Sequence, residues 1–196
     1  MDIRGLKGRV AEAFVENVFR ESGYKVSRLG RESHAQQPFK TGKSEFLPDF
    51  FVWKSVDRSS DGSPLHRLVC IEVKYRSNVE DFLHRFGPEL LSYVGEDWPE
   101  LYVVIVTDRP DSGRSCFQLL DMCRLAPDEP LETTDLHTAS ELGISQTTCE
   151  EYEDLIKGVF SNIGAHALPR KPLAKIVVPD GLSLPERSSG PGVTRL

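Results

Sequence analysis

Phe46-Leu47-Pro48-Asp49-Phe50-Phe51-Val52-Trp53 and Arg67-Leu68-Val69-Cys70-Ile71-Glu72-Val73-Lys74-Tyr75 are both apolar runs rich in aromatic and β-branched residues. Between them lies Val56-Asp-Arg-Ser-Ser-Asp-Gly-Ser-Pro-Leu-His66, dense in turn formers. The pattern predicts two strands, 46–53 and 67–75, joined as a hairpin. Alternate residues of a strand share a face, so Glu72 and Lys74 point together while Val69, Ile71 and Val73 point the other way. Glu72-Val73-Lys74 is the sole Asp/Glu-x-Lys triplet of the chain, and Pro48-Asp49 is the one Pro-Asp pair of four that sits inside an apolar run. A carboxylate in such a run is costly to bury unless a cation meets it. The hairpin brings Asp49 beside Glu72, where the two acids repel unless Lys74 or a divalent cation compensates.

Outward from the hairpin, residues 6–22 place Val10, Ala11, Phe14, Val15, Val18 and Phe19 at helical spacing, and Gly23 follows as a stop. Tyr24–Leu29 alternates and predicts a short strand; 30–45 reads as a loop. Past Lys74 a helical pattern runs over 79–94, kinked or divided at Gly87-Pro88. Leu101–Thr107 is a near-continuous apolar run of the kind found in a strand buried on both faces. Residues 116–122 predict one more strand, and 135–162 one or two small helices with Tyr152, Leu155, Ile156, Val159 and Phe160 as an apolar stripe. From Gly164 onward Pro, Gly, Ser and Arg accumulate, broken only by Leu-Ala-Lys-Ile-Val-Val. The expected class is α/β: a helix, a three-stranded antiparallel meander, a helix and a strand, with a small C-terminal helical extension. The expected division is a core over 1–125, an extension packed on it over 126–163 and a tail over 164–196.

Phosphodiester hydrolysis fits the acids and the lysine. Mg²⁺ prefers oxygen ligands and keeps several waters, so Asp49, Glu72 and the Val73 carbonyl would leave positions for a phosphate oxygen and a water, with Mn²⁺ as a substitute. Lys74 would stabilise the attacking water or the transition state. Glu12 is the fourth candidate, because it lies roughly 20° beyond the apolar arc of the first helix, whereas Glu16 lies about three times as far out.

The net charge of −6 argues at first against a nucleic-acid partner, but the acidity sits in the C-terminal half: residues 1–95 hold 15 Lys/Arg against 13 Asp/Glu. Lys7, Arg9, Lys40, Lys43 and Arg76, with Arg4 and Arg85, could form a rim that tracks phosphates, and the 30–45 loop is the expected place of substrate contact. The four cysteines form no CxxC pair, which points away from a zinc site or disulfide framework and toward reduced, buried thiols. No apolar stretch is long enough for a membrane span and no secretory h-region opens the chain, so a cytoplasmic location is expected.

These residues resemble the PD-(D/E)xK nuclease superfamily, which includes restriction endonucleases, Holliday-junction resolvases and RecB-type nuclease domains. The resemblance covers about residues 5–107. It rests on Leu-Pro-Asp49-Phe, on Ile-Glu72-Val-Lys74 and on Lys7-Gly-Arg-Val-Ala-Glu12, the last similar to the first helix of junction resolvases, where a Glu assists metal binding. It implies a restriction-endonuclease-like core and a Mg²⁺-dependent deoxyribonuclease with Asp49, Glu72, Lys74 and Glu12 catalytic. Some branches carry Gln-Leu-x-x-Tyr on the second helix; here the stretch reads Glu89-Leu-Leu-Ser-Tyr93. Two readings compete with an enzyme: a non-catalytic nucleic-acid-binding or assembly module on the same fold, and an α/β protein with no nucleic-acid partner. A homodimer or larger complex through the C-terminal half is a further expectation.

Overall fold

The computed structural model describes residues 2–29, 47–58, 62–85, 98, 100–122, 124 and 130–165. The first element is an α-helix, Ile3–Glu21 (α1), and its end follows from local chemistry. Gly23 adopts φ 84°, a conformation natural only to glycine. Its N–H donates to the Arg20 carbonyl at 3.0 Å, and that of Tyr24 to the Phe19 carbonyl at 3.0 Å, which is the Schellman pattern. The hydrophobic contact that accompanies this cap is the edge-on packing of Tyr24 against Phe19, centroids 5.2 Å apart.

Six strands form one sheet in sequential order: Lys25–Arg28 (β1), Phe50–Arg58 (β2), Pro64–Tyr75 (β3), Leu101–Val106 (β4), Phe117–Asp121 (β5) and Thr134–Asp135 (β6). All neighbours pair antiparallel except β3 and β4, which run parallel. A parallel pair needs a crossover, and the helix described over 79–85 (α2) lies within it. The last described elements are Leu136–Thr138, a single 3₁₀ turn, and a 20-residue helix, Gln146–Ala165 (α3). Ser145 caps α3, its hydroxyl accepting from the Thr148 N–H at 3.0 Å.

The sheet has an apolar cluster on each side. Ala11, Val15, Val18 and Phe19 of α1 and Ile156 and Phe160 of α3 pack with Phe50, Val52, Val69, Ile71, Val104 and Val106. On the other side Phe82 of α2 packs with Cys70, Leu101, Val103, Ile105, Leu120 and Met122. Every residue of β4 is buried, alternate ones in each cluster, as its unbroken apolar run predicts. The 146–165 helix thus supplies one wall of the same core that α1 closes, with Phe160 fully buried. Cys70, Cys116 and Cys149 are buried and in no disulfide, and burial pushes the Cys116 and Cys149 thiols up to about 12. No described helix is long and apolar enough to cross a membrane.

The structure differs from the sequence reading chiefly in the hairpin. β2 begins at Phe50 rather than 46, and both strands run into the segment expected to be the connection, leaving the turn near Gly62, φ 83°. At this distal end the ladder persists across Ser55↔His66 and Arg58↔Pro64, with a register shift between Ser55 and Asp57. The backbone ladder holds that arm together with polar bonds, Arg58 Nη1 donating to the Gly62 carbonyl at 3.2 Å and Ser55 Oγ to the Leu65 carbonyl at 3.5 Å, so no apolar alternation announces it. The last segment also differs: 135–162 gives one 3₁₀ turn and one long helix, preceded by a two-residue strand. The Gly87-Pro88 kink, Glu89 and Tyr93, the 30–45 loop and the tail beyond 165 lie outside the described residues.

Candidate functional site

The parallel pair β3–β4 fixes one end of the sheet as the place where strand carboxyl ends converge, a natural position for a site in an α/β sheet. β2 starts at that same end, opposite Ile71. Asp49 immediately precedes β2, so continuing the register sets it beside Glu72. Pro48, lacking an N–H, cannot extend the ladder. Instead the Asp49 side chain takes over, its Oδ2 accepting from the Val73 N–H at 2.8 Å. The N–H and C=O of one strand residue face the same edge, so the Val73 carbonyl also points toward the gap beyond the start of β2.

Glu72 and Lys74 share the α2 side of the sheet. Ile71 and Val73 belong to the cluster under α1, whereas Cys70, two residues before Glu72, belongs to the opposite cluster. The Lys74 ammonium contacts Glu72 Oε1, and among the described residues Glu72 Oε2 is buried without a hydrogen-bond partner. Burial raises the Glu72 pKa to about 7; Lys74 opposes the rise, and the adjacent Asp49 carboxylate adds to it. Asp49, Glu72, Lys74 and the Val73 backbone are therefore brought together as the sequence expects. The Glu72 side chain is 6% exposed and that of Lys74 30%, so the acid lies inside and the amine reaches the surface.

Glu12 is buried, 5% exposed, as its place at the edge of the apolar arc predicts. Glu16, one turn on, instead binds Arg20 and Arg28 at the helix surface. Glu12 stands on the α1 side of the sheet and Glu72 on the other. Among the described residues no group of three or more His, Cys, Asp or Glu side chains could hold a metal ion. The oxygens available at the hairpin are thus those of Asp49 and Glu72, with the Val73 carbonyl beside them.

The expected basic rim is only partly open. Lys7 turns inward: its Nζ donates to Tyr75 Oη at 2.9 Å and pairs with Asp108 Oδ2 at 3.1 Å, while Tyr75 Oη donates to Asp108 Oδ1 at 2.8 Å. Burial alone would lower the Lys7 pKa, but the bonds to Tyr75 and Asp108 outweigh it and hold it above the ordinary value. Phe160 of α3 packs edge-on against Tyr75, centroids 4.8 Å apart. This knot ties α1, the end of β3, the turn after β4 and α3 together one residue past Lys74, so Lys7 holds the strand end rather than facing a ligand. Arg76 lies over the Phe82 ring at 4.3 Å and donates to the Tyr75 carbonyl, Arg9 is exposed, and Arg85 pairs with Asp81. Lys40 and Lys43 lie outside the described residues, as does the Arg4 side chain. Asp108 was legible in principle, as an acid just past the buried run of β4.

No family model, curated protein or solved structure matches this chain.

The Lys7–Tyr75–Asp108 knot yields a stability prediction. Tyr75→Phe keeps the ring against Phe160 and removes the hydroxyl that joins lysine to aspartate, at an expected cost of roughly 1–2 kcal/mol. A shift of the denaturant midpoint at unchanged slope measures it. An unaltered midpoint would mean that the direct Lys7–Asp108 pair suffices.

Proposed function

We propose that this protein is a metal-dependent nuclease of the PD-(D/E)xK kind, hydrolysing DNA phosphodiester bonds at Asp49, Glu72 and Lys74. The observation that carries the reading is the pairing of Asp49 with Glu72 at the end of the parallel strands, with Lys74 against one Glu72 oxygen and the other buried without a hydrogen-bond partner among the described residues. A buried carboxylate oxygen without a donor is costly, and a cation is the ligand that relieves it. The element order also supports the reading: helix, three antiparallel strands, helix and a further strand is the order that the resemblance implies for a restriction-endonuclease-like core.

The donor set fits Mg²⁺ or Mn²⁺, which take oxygen ligands and are commonly held by one or two carboxylates with waters completing the shell. Asp49, Glu72 and the Val73 carbonyl would hold the ion, which when bound supplies Lewis-acid polarisation of phosphate and a more acidic water. Asp49 is itself oriented by the Val73 N–H, so the backbone of β3 positions both acids. Lys74, partly solvent-facing, brings a positive charge to where the phosphoryl oxygens gain negative charge. Glu12, on the far side of the sheet, would act through the sheet edge rather than as a third ligand in this cluster.

The test is cleavage of supercoiled and linear DNA with Mg²⁺ or Mn²⁺. Wild type is expected to cut and Asp49→Ala to be inactive; equal activity in the two would reject the assignment. The absence of a three-acid group among the described residues favours, as a second reading, a non-catalytic nucleic-acid-binding module. Calorimetry separates the two, since such a module would take up no cation at Asp49 and Glu72.

A further inference from the structure

The face of the sheet that carries Glu72 is covered unevenly. Val79, Phe82 and Leu83 of α2 pack over β3, β4 and β5, and Trp98 packs on Phe51 at 6.1 Å. Farther along the hairpin, the same face bears one row across three strands: Lys25 of β1 opposite Trp53 of β2, and Trp53 opposite Leu68 of β3. Alternation puts this row with Phe51, Asp49 and Glu72 rather than with Val52 and Val69 under α1. Trp53 belongs to neither core cluster and, among the described residues, makes no ring contact and no indole hydrogen bond. Leu68 beside it is 53% exposed, and Leu47, just before Asp49, is 45% exposed.

We propose that this row binds unpaired bases of a single-stranded nucleic acid, one base stacking on Trp53 with its flanking phosphate against Lys25, and that it leads the strand to Asp49 and Glu72. Three observations favour this occupant. An indole half-exposed on a sheet face, as Trp53 is, is a stacking platform that accepts any base. Lys25 is exposed beside it and forms no ion pair among the described residues, so the row offers an apolar plane edged by positive charge, the complement of a nucleotide. The row is also continuous with the acids: Trp53 lies four residues along β2 from Asp49, about 13 Å at strand rise, on the same side. A B-form duplex keeps its base faces inside the stack and could not use Trp53 in this way. The direction of the strand toward Asp49 rests on the nuclease reading; the binding row itself does not.

The experiment is binding without metal. Full-length protein in EDTA is titrated with a labelled oligothymidylate and with a duplex of equal length, followed by anisotropy. The chain has two tryptophans, so Trp98→Phe leaves Trp53 as the single reporter. The single strand is expected to quench that emission and to bind more tightly than the duplex. Trp53→Ala should weaken single-strand binding roughly 10-fold, with Trp53→Phe intermediate and duplex binding unchanged. Equal affinity in wild type and Trp53→Ala, or emission unaltered by the oligonucleotide, overturns the inference. So does sedimentation showing that Trp53→Ala converts a dimer to a monomer, which would assign the row to a second copy. A protein that cuts DNA with Mg²⁺ but binds independently of Trp53 overturns this inference alone; Trp53-dependent binding without cleavage overturns the nuclease reading and leaves the binding row standing.

Discussion

Glu72→Gln is expected to yield a protein more stable than wild type near pH 8 and without nuclease activity. The stability half follows from the pKa of Glu72, raised to about 7 from its ordinary 4.5 by burial and by Asp49 against the opposing charge of Lys74. An acid whose folded pKa lies above its unfolded value binds more protons in the native state. Its contribution is intact below pH 4.5 and lost as pH rises through the folded value, so metal-free wild type should lose stability between about pH 4.5 and 7 and level off above. The whole loss is roughly 3 kcal/mol at most, from 1.36 kcal/mol per pH unit. Glutamine has nearly the same shape, carries no charge to desolvate, and can donate its amide to Asp49 where protonated Glu72 would. Melting curves from pH 4 to 9 in EDTA measure this: the wild-type and Gln curves should meet at the acid end and separate through neutrality, with Gln higher. Parallel curves would mean that Glu72 titrates normally and that its burial is compensated elsewhere. The activity half is independent, since an amide binds a divalent cation far more weakly than a carboxylate.

On the nuclease reading, that opposition between stability and function is also what lets the acids be found in the sequence. Asp49 and Glu72 violate the apolar pattern of their runs, and such violations mark places where folding has been compromised for chemistry. The strand alternation that pairs Glu72 with Lys74 is a period-2 rule needing no tertiary knowledge, and the fully apolar β4 announces burial on both faces. What was not legible depends on contacts remote in sequence. Lys7 looks like any first-turn lysine until Tyr75 and Asp108 close around it, from 68 and 101 residues away. Glu12 reads from the sequence as the acid nearest the apolar arc, and its burial and the side of the sheet it serves follow only from the packing of α1. The distal hairpin was hidden for the converse reason: it is held by backbone pairing, which leaves no mark in composition. Trp53 is likewise silent in the sequence: that it is half-buried and outside both core clusters of the described residues shows only once the strands are paired and α2 is placed.

Lys74→Ala should separate metal binding from turnover. The ammonium rests on Glu72, where a divalent cation would also bind, so removing it takes away a competing positive charge and cation affinity should hold or rise. The rate should nevertheless fall roughly 10²–10³-fold, the loss typical of one electrostatic contact to a charge that develops in the transition state. Lys74→Arg should not rescue it fully, because the planar guanidinium reaches farther and distributes its charge over a fork rather than a point. The fold should survive either change, as the Lys74 side chain is 30% exposed and its strand is held by backbone pairing to β4 through Ile105. Single-turnover cleavage combined with Mn²⁺ calorimetry reads both quantities. A rate within about threefold of wild type, against the 10²–10³-fold loss expected, would remove Lys74 from the chemistry. Loss of both cation affinity and rate would instead make it a support for Glu72, positioning the acid and taking no part at the phosphate.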